Sequence, residues 1–197
     1  MRDLFINYSI SKIRKQYKDY DDDKIAEIKY GLEGLYILVT KTIVIFTIAA
    51  IVGVVKELLI LLIFFNILRL TGFGLHAKSS SKCLISSSLV FIGIAMVCKW
   101  LTISFPIRLI LSSLCVVNFI MYAPADTEKR PLINTKKRYV YKILTVFVSF
   151  VYTILLFLIN DNFIANVITF AMIIEGTLIH PLIYRIFKFR YANYKYY

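Results

Sequence analysis

A histidine and a cysteine that lie seven residues apart are the first residues in this chain to suggest chemistry. They belong to a short polar segment, Arg69 to Cys83, which reads RLTGFGLHAKSSSKC and separates two long apolar runs. A cysteine thiolate can attack a carbonyl carbon, and an imidazole can accept the thiol proton, so His76 and Cys83 are a candidate base and nucleophile. The spacing alone also allows an interfacial histidine beside a packing cysteine.

Several features of this segment favour the thiolate form of Cys83. His76 can act as its base, and Lys78 and Lys82 place positive charge on either side. The serines at 79–81 are good N-caps for a helix that begins with the next apolar run. Cys83 would then lie in the first helical turn, where free backbone amides and the helix dipole favour an anion.

The distance between the two residues predicts a bend. If residues 76–83 formed one continuous helix, seven steps of about 1.5 Å would hold His76 and Cys83 roughly 10 Å apart, beyond hydrogen-bond reach. Gly72, Gly74 and the serine run are the residues at which a helix would break. We therefore expect a bent or re-entrant catalytic segment at residues 71–83.

Composition predicts an all-α polytopic membrane protein. Of the 197 residues, 59% are apolar, and these are gathered into blocks. Residues 1–20 have the loosely helical spacing of an amphipathic interfacial helix, and residues 21–197 form a single transmembrane helical domain. A span needs about 20 apolar residues. Six spans are predicted, at about 35–55, 57–70, 84–101, 107–123, 139–159 and 163–187.

The distribution of positive charge predicts the topology. Lys and Arg outnumber Asp and Glu by 24 to 12, and in the six-span arrangement almost all of the cations fall on one side of the membrane. The positive-inside rule then places both termini and the His76–Cys83 segment in the cytoplasm, where thiols stay reduced. Topology explains the basic excess without nucleic acid. A four-span arrangement would place the segment opposite the N-terminus.

Other polar residues have weaker patterns. Glu33, at the mouth of the first span, could orient His76, although a carboxylate there more often pairs with a lysine. Glu175 and His180-Pro181 interrupt the last span, which predicts a kink at the proline. No second histidine lies near His180, so we expect no metal site and no cofactor. Cys98 and Cys115 are interpreted as buried apolar residues.

Two motifs resemble those of a known family. The first contains Arg69, Gly74, His76-Ala77 and Cys83, in the order R-x4-G-x-H-A-x5-C, and the second reads YAPADTEKRP over residues 122–131. Together with length and hydropathy, they resemble the accessory gene regulator B family of bacterial quorum-sensing peptidases. That family often has G-G-x-H-A in the first motif, and here Phe73 replaces the first glycine.

The resemblance implies a cysteine endopeptidase of the bacterial plasma membrane that removes the C-terminal tail of a short AgrD-like propeptide. Cys83 would be the nucleophile and His76 its general base. A Cys or Ser of the propeptide would then attack the enzyme thioester and close a thiolactone or lactone ring. The enzyme would be a homodimer that also takes part in moving its product. The expected substrate-binding residues are Arg69, Gly74, Lys78, Lys82, Asp126, Lys129 and Arg130. Positive-inside anchoring is an equal alternative for Arg130, and Asp126 could instead cap a turn.

Two other functions fit parts of the same sequence. A small peptide or solute transporter without covalent chemistry would be compatible with six spans and a cavity-facing Glu175, although no internal repeat is evident. A membrane thiol acyltransferase would use the same nucleophile but would carry an acyl chain from a lipid. The two alternatives differ from the peptidase in whether Cys83 is needed and in what is bound to its sulfur.

Overall fold

The computed structural model describes residues 2–75, 80–128 and 131–196, with the backbone alone for residues 80–82. The described residues are helical, with one isolated parallel bridge between Phe73 and Ala125, which confirms the predicted all-α class. The helices are α1 (Arg2–Gln16), α2 (Asp22–Val52), α3 (Val55–Gly72), α4 (Ser80–Trp100), α5 (Phe105–Tyr122), α6 (Thr135–Leu158), α7 (Asn162–Ile179), α8 (Pro181–Ile186) and a 3₁₀ helix (Asn193–Tyr196).

The chain divides into two compact units, and the first consists of residues 1–52. It contains α1 and the long helix α2. Asp21 caps α2, because its carboxylate accepts a hydrogen bond of 2.8 Å from the backbone N–H of Lys24. Within this unit Arg14 pairs with Asp22 at 2.7 Å. The helix predicted at the N-terminus is therefore present, and its position on a membrane surface stays a prediction.

The second unit, residues 53–197, is organised around α7. Eleven of the 18 residues of α7 are buried, and it packs against α3, α4, α5, α6 and α8. Close packing is helped by Gly176, whose carbonyl accepts a hydrogen bond of 2.7 Å from the side-chain amide of Asn118 on α5. On another side of the unit, Tyr152 of α6 donates to the carbonyl of Phe64 on α3 at 3.0 Å.

Five of the described helices are long and apolar enough to cross a membrane, which fits a multi-pass membrane protein. They are α2, α4, α5, α6 and α7. The helix α3, predicted as the second span, has 18 residues but includes Lys56, Glu57 and Arg69, and it is not one of the five. The count of six spans and the cytoplasmic side of the termini therefore stay predictions.

The last predicted span, 163–187, is divided in two. Helix α7 ends at Ile179, His180 has extended backbone angles, and α8 begins at Pro181. The Nδ1 atom of His180 accepts a hydrogen bond of 3.1 Å from the backbone N–H of Leu182, so this histidine caps α8. The break predicted at Pro181 is thus present, and His180 has a structural role there.

Candidate functional site

A tight turn follows α3 and leads directly into His76. Its backbone is fixed from two directions: Gly74 donates to the carbonyl of Ala125 at 2.7 Å, and Ala125 donates to the carbonyl of Gly72 at 2.9 Å. Leu75 donates to the carbonyl of Leu178, near the end of α7, at 3.0 Å. Helix α3 ends at Gly72, one of the residues at which a break is predicted, and the re-entrant shape of residues 71–83 stays a prediction. The turn also brings the two sequence motifs together, because Ala125 belongs to the second.

Arg69, in the last turn of α3, folds back over this turn. Its Nη2 atom donates to the carbonyl oxygens of Gly74 at 3.1 Å and Leu75 at 2.7 Å. Its Nη1 atom lies 3.3 Å from Oε2 of Glu175. The guanidinium group therefore ties the two residues before His76 to α7. Arg69 was predicted to bind substrate, and its described contacts are all with the protein itself.

Glu175 is a fully buried carboxylate on the central helix. Its side chain has no exposed surface, and its Oε2 atom accepts from Arg69. Its Oε1 atom has no hydrogen-bond partner among residues 2–75, 80–128 and 131–196. A buried carboxylate without a cation is very costly, so the position of Glu175 depends on Arg69. The sequence pattern had suggested a cavity-facing position for Glu175, and the structure places it in this ion pair.

Two glycines provide the space for the ion pair. A Cβ atom on Gly72 would lie 2.7 Å from Oε1 of Glu175. A Cβ atom on Gly74 would lie 2.5 Å from Nη1 of Arg69, and Gly74 has a φ of +89°. Phe73 between them also has a left-handed φ of 61°, an angle that favours glycine. Phe73 packs its ring edge-on against Tyr141, with the two ring centroids 4.9 Å apart.

Cys83 lies in the first turn of α4, as predicted. The helix begins at Ser80, so Cys83 is its fourth residue, and the side chain is partly buried. Its carbonyl oxygen accepts hydrogen bonds from the hydroxyls of Ser86 and Ser87. The other predicted site residues of this segment, His76, Lys78 and the side chain of Lys82, lie outside the described residues. Glu33 lies on α2, in the first unit.

The second motif forms a loop that hydrogen bonds attach to the C-terminal segment. Asp126 is 2% exposed, and its carboxylate accepts hydrogen bonds from the backbone N–H groups of Asn193 at 2.9 Å, Tyr194 at 2.8 Å and Leu132 at 3.2 Å. The hydroxyl of Tyr184 donates to the carbonyl oxygen of Asp126 at 3.2 Å. Asp126 thus ties the loop to the C-terminal segment, while Lys129 and Arg130 lie outside the described residues.

Replacing Asp126 with Asn tests this structural role. The amide would direct N–H donors toward backbone N–H groups, so we expect the free energy of unfolding to fall by about 1–3 kcal/mol. We also expect faster proteolysis within residues 187–196. The matched control is Asp161→Asn, because Asp161 caps α7 and Asn is an equally good N-cap. Unchanged stability with weakened propeptide binding would instead indicate direct contact with substrate.

The sequence predicted a break near Gly72 and Gly74 but not the ion pair that ties the turn to α7. Arg69 and Glu175 are 106 positions apart, and no local pattern connects them. The available signal was a carboxylate inside an apolar span, which requires a buried partner. Within the described part of the chain, no group of three or more histidines, cysteines and carboxylates could hold a metal ion.

Comparison with known proteins agrees with these motifs. The profile described as "Accessory gene regulator B" matches residues 6–179. The chain belongs to this family. It is 32% identical to a putative AgrB-like protein of Clostridium acetobutylicum, over 93% of this chain and 87% of that protein. It is 30% identical to accessory gene regulator protein B of Staphylococcus aureus strain Newman, over 91% of this chain and 97% of that protein.

A putative AgrB-like protein of Listeria monocytogenes serovar 1/2a is 31% identical, with 95% of this chain and 91% of that protein covered. No solved structure matches this chain significantly. Family membership suggests a role in the agr quorum-sensing system. The helical fold agrees with this family assignment, because five of its helices can cross a membrane.

Proposed function

We propose that this protein is a membrane-embedded cysteine endopeptidase that removes the C-terminal tail of an AgrD-like quorum-sensing propeptide and promotes its cyclisation. Cys83 is the nucleophile and His76 its general base. The thiol proton passes to His76 as Cys83 attacks the scissile carbonyl carbon, and His76 then protonates the leaving amine of the tail. A thioester between the propeptide and Cys83 results.

The second step closes the ring. A thiol or hydroxyl within the bound propeptide attacks the thioester carbonyl and forms a thiolactone or lactone, which releases Cys83 as a thiol. Exchange of one thioester for another is close to neutral in energy, so water is the main competitor. A site that excludes water and holds the propeptide in a folded pose favours the ring over hydrolysis.

One observation carries this proposal more than the others. The turn that enters His76 is fixed by Arg69, by the end of α7 and by Ala125 of the second motif, while Cys83 is the fourth residue of the next helix. Catalysis by a thiol and an imidazole needs both groups to be held in place, and a chain segment anchored on three sides provides a rigid base for one of them.

The remaining roles belong to the same proposal. Lys78, Lys82, Lys129 and Arg130 attract an acidic propeptide tail, and Glu33 is a candidate for orienting His76. Arg69, Gly74 and Asp126 act on the substrate indirectly, because they shape the turn and the loop beside it. We further propose a homodimer in the bacterial plasma membrane, with the termini and the active site in the cytoplasm.

The test is co-expression with an AgrD-like propeptide, followed by mass spectrometry of the products. We expect Cys83→Ala and His76→Ala each to abolish release of the tail, while Cys98→Ala, which removes a buried thiol, leaves it intact. A transporter without covalent chemistry would retain its activity in both site variants. An adduct on Cys83 with the mass of a fatty acyl chain would contradict the peptidase and indicate an acyltransferase.

A further inference from the structure

A basic cavity of about 280 Å³ lies beside the loop of the second motif. Its walls include Pro124 and Asp126 from that loop, Arg138 and Lys142 from α6, and Tyr194 from the 3₁₀ helix. Both Asp126 oxygens accept hydrogen bonds from backbone amides, so this carboxylate is already engaged. With two cations and one carboxylate on its walls, the cavity has a net positive charge.

Arg138 and Lys142 line the cavity from α6. The guanidinium carbon of Arg138 lies 3.3 Å from the ring centroid of Tyr194, which fixes the group against the C-terminal segment. Across residues 2–75, 80–128 and 131–196, no carboxylate forms an ion pair with either cation. Both side chains are half-buried, unlike the exposed side chains of Lys136 and Lys137, which directly precede Arg138. Partly buried, unpaired cations favour an anionic ligand.

An apolar groove of about 360 Å³ adjoins this cavity and shares Tyr139 and Lys142 with it. The groove continues along α6 past Ile143, Val146, Phe147 and Phe150, with Ile120 of α5 opposite. These α6 residues recur at helical spacing and form one stripe. From Lys142 to Phe150 the stripe is about 12 Å long, within the roughly 15 Å depth of one membrane leaflet.

We propose that the cavity and groove together form a binding site for one anionic phospholipid. The phosphate group binds between Arg138 and Lys142, and one acyl chain lies in the groove over Ile143, Phe147 and Phe150. The groove is on the outer face of a helix that can span the membrane, where Phe147 is 62% and Phe150 49% exposed. An acyl chain is what such a face meets in a bilayer, whereas a polar peptide would have to leave water to reach it.

Such a lipid would have a structural consequence for the neighbouring site. It contacts Pro124 and Tyr194, which belong to the loop and to the C-terminal segment that Asp126 joins. Ala125 in the same loop is hydrogen-bonded to the turn before His76. A bound lipid would therefore stabilise the loop on which that turn rests, and the site itself is independent of the peptidase proposal.

Photoactivatable phosphatidylglycerol, with its reactive group on the acyl chain, tests the site on the purified full-length protein in detergent. We expect adducts on residues 143–150 and weaker labelling with the matched phosphatidylcholine probe. Arg138→Gln/Lys142→Gln should raise the apparent dissociation constant for phosphatidylglycerol about thirty-fold. The control Lys136→Gln/Lys137→Gln removes the same charge from the same helix. It should raise the dissociation constant by less than about three-fold.

The outcomes separate this site from its alternatives. If both double variants weakened phosphatidylglycerol binding equally, or if the two lipids labelled the protein equally, the contact would be non-specific and the proposal would be overturned. Loss of labelling on addition of an acidic peptide, with no preference for phosphatidylglycerol, would assign the cavity to a peptide. If the double variant fails to fold by gel filtration, the single variants Arg138→Gln and Lys142→Gln serve instead, each with an expected change of about five-fold.

Discussion

Glu175→Gln is expected to lower the free energy of unfolding by about 3–5 kcal/mol and to abolish propeptide cleavage. The substitution leaves the guanidinium group of Arg69, whose side chain is only 13% exposed, without its counter-ion. Breaking a buried ion pair on one side is costly because the remaining charge has lost both water and partner. Denaturation of the purified protein in mixed micelles measures the first effect, and co-expression with the propeptide measures the second.

A second ion pair in the same unit provides the control. Lys99 and Glu57 lie 3.9 Å apart, and the Lys99 side chain is 34% exposed. The Glu57 side chain is 15% exposed, and Lys99 keeps its hydrogen bond of 2.7 Å to the carbonyl of Gly53 in the variant. A partly exposed pair at this distance contributes little, so Glu57→Gln should change the free energy of unfolding by less than about 1 kcal/mol. Cleavage should continue in this variant. If both Glu→Gln variants were equally unstable, the special position of Glu175 would be refuted.

Replacing both partners separates stability from positioning. In Arg69→Met/Glu175→Leu no unpaired charge remains, so part of the lost stability should return. The carbonyl groups of Gly74 and Leu75 still lose their guanidinium donor, and the turn before His76 is no longer held by α3. We therefore expect cleavage to remain absent in a protein that folds. Wild-type cleavage by this double variant would show that Arg69 does not position the turn.

The sequence predicted those parts of the fold that depend on local chemistry. Apolar runs located α4, α5 and α6 to within a few residues, and the serine run located the start of α4 at Ser80. The break after Gly72 and the division at Pro181 followed from residues that disfavour continuous helix. Each of these features is determined by neighbours in the chain, so it can be recognised from a few consecutive residues.

Features that depend on distant parts of the chain could not be predicted in this way. The pairing of Arg69 with Glu175, and the hydrogen bonds from Asp126 to the C-terminal segment, join residues far apart in sequence. Nothing local in the sequence indicates that Arg69 and Asp126 bond to distant parts of the chain, and their contact with substrate stays a prediction. The left-handed φ of Phe73 could not be predicted from the sequence either, because a phenylalanine rarely adopts such a backbone angle.

Gly74→Ala is expected to abolish cleavage and to destabilise the protein more strongly than an ordinary Gly→Ala change. The new Cβ atom would lie 2.5 Å from Nη1 of Arg69 and 3.0 Å from the carbonyl oxygen of Leu178, both closer than normal contact. The φ of +89° adds backbone strain of about 1–3 kcal/mol for any other residue. Either the guanidinium group or the turn must move, and both hold the segment that enters His76.

Gly93→Ala is the matched control. It adds the same methyl group to the same unit, but it is expected to raise the free energy of unfolding rather than lower it. Gly93 is within α4, and a Cβ atom there meets nothing within 4 Å. Alanine favours the helix, so we expect stabilisation of about 0.5–1 kcal/mol and normal cleavage. If the free energy of unfolding falls in Gly74→Ala and rises in Gly93→Ala, the requirement for glycine lies in the turn itself. Full cleavage by Gly74→Ala would show instead that catalysis does not depend on the geometry of this turn, and would remove the structural basis for placing His76 through Arg69 and Glu175.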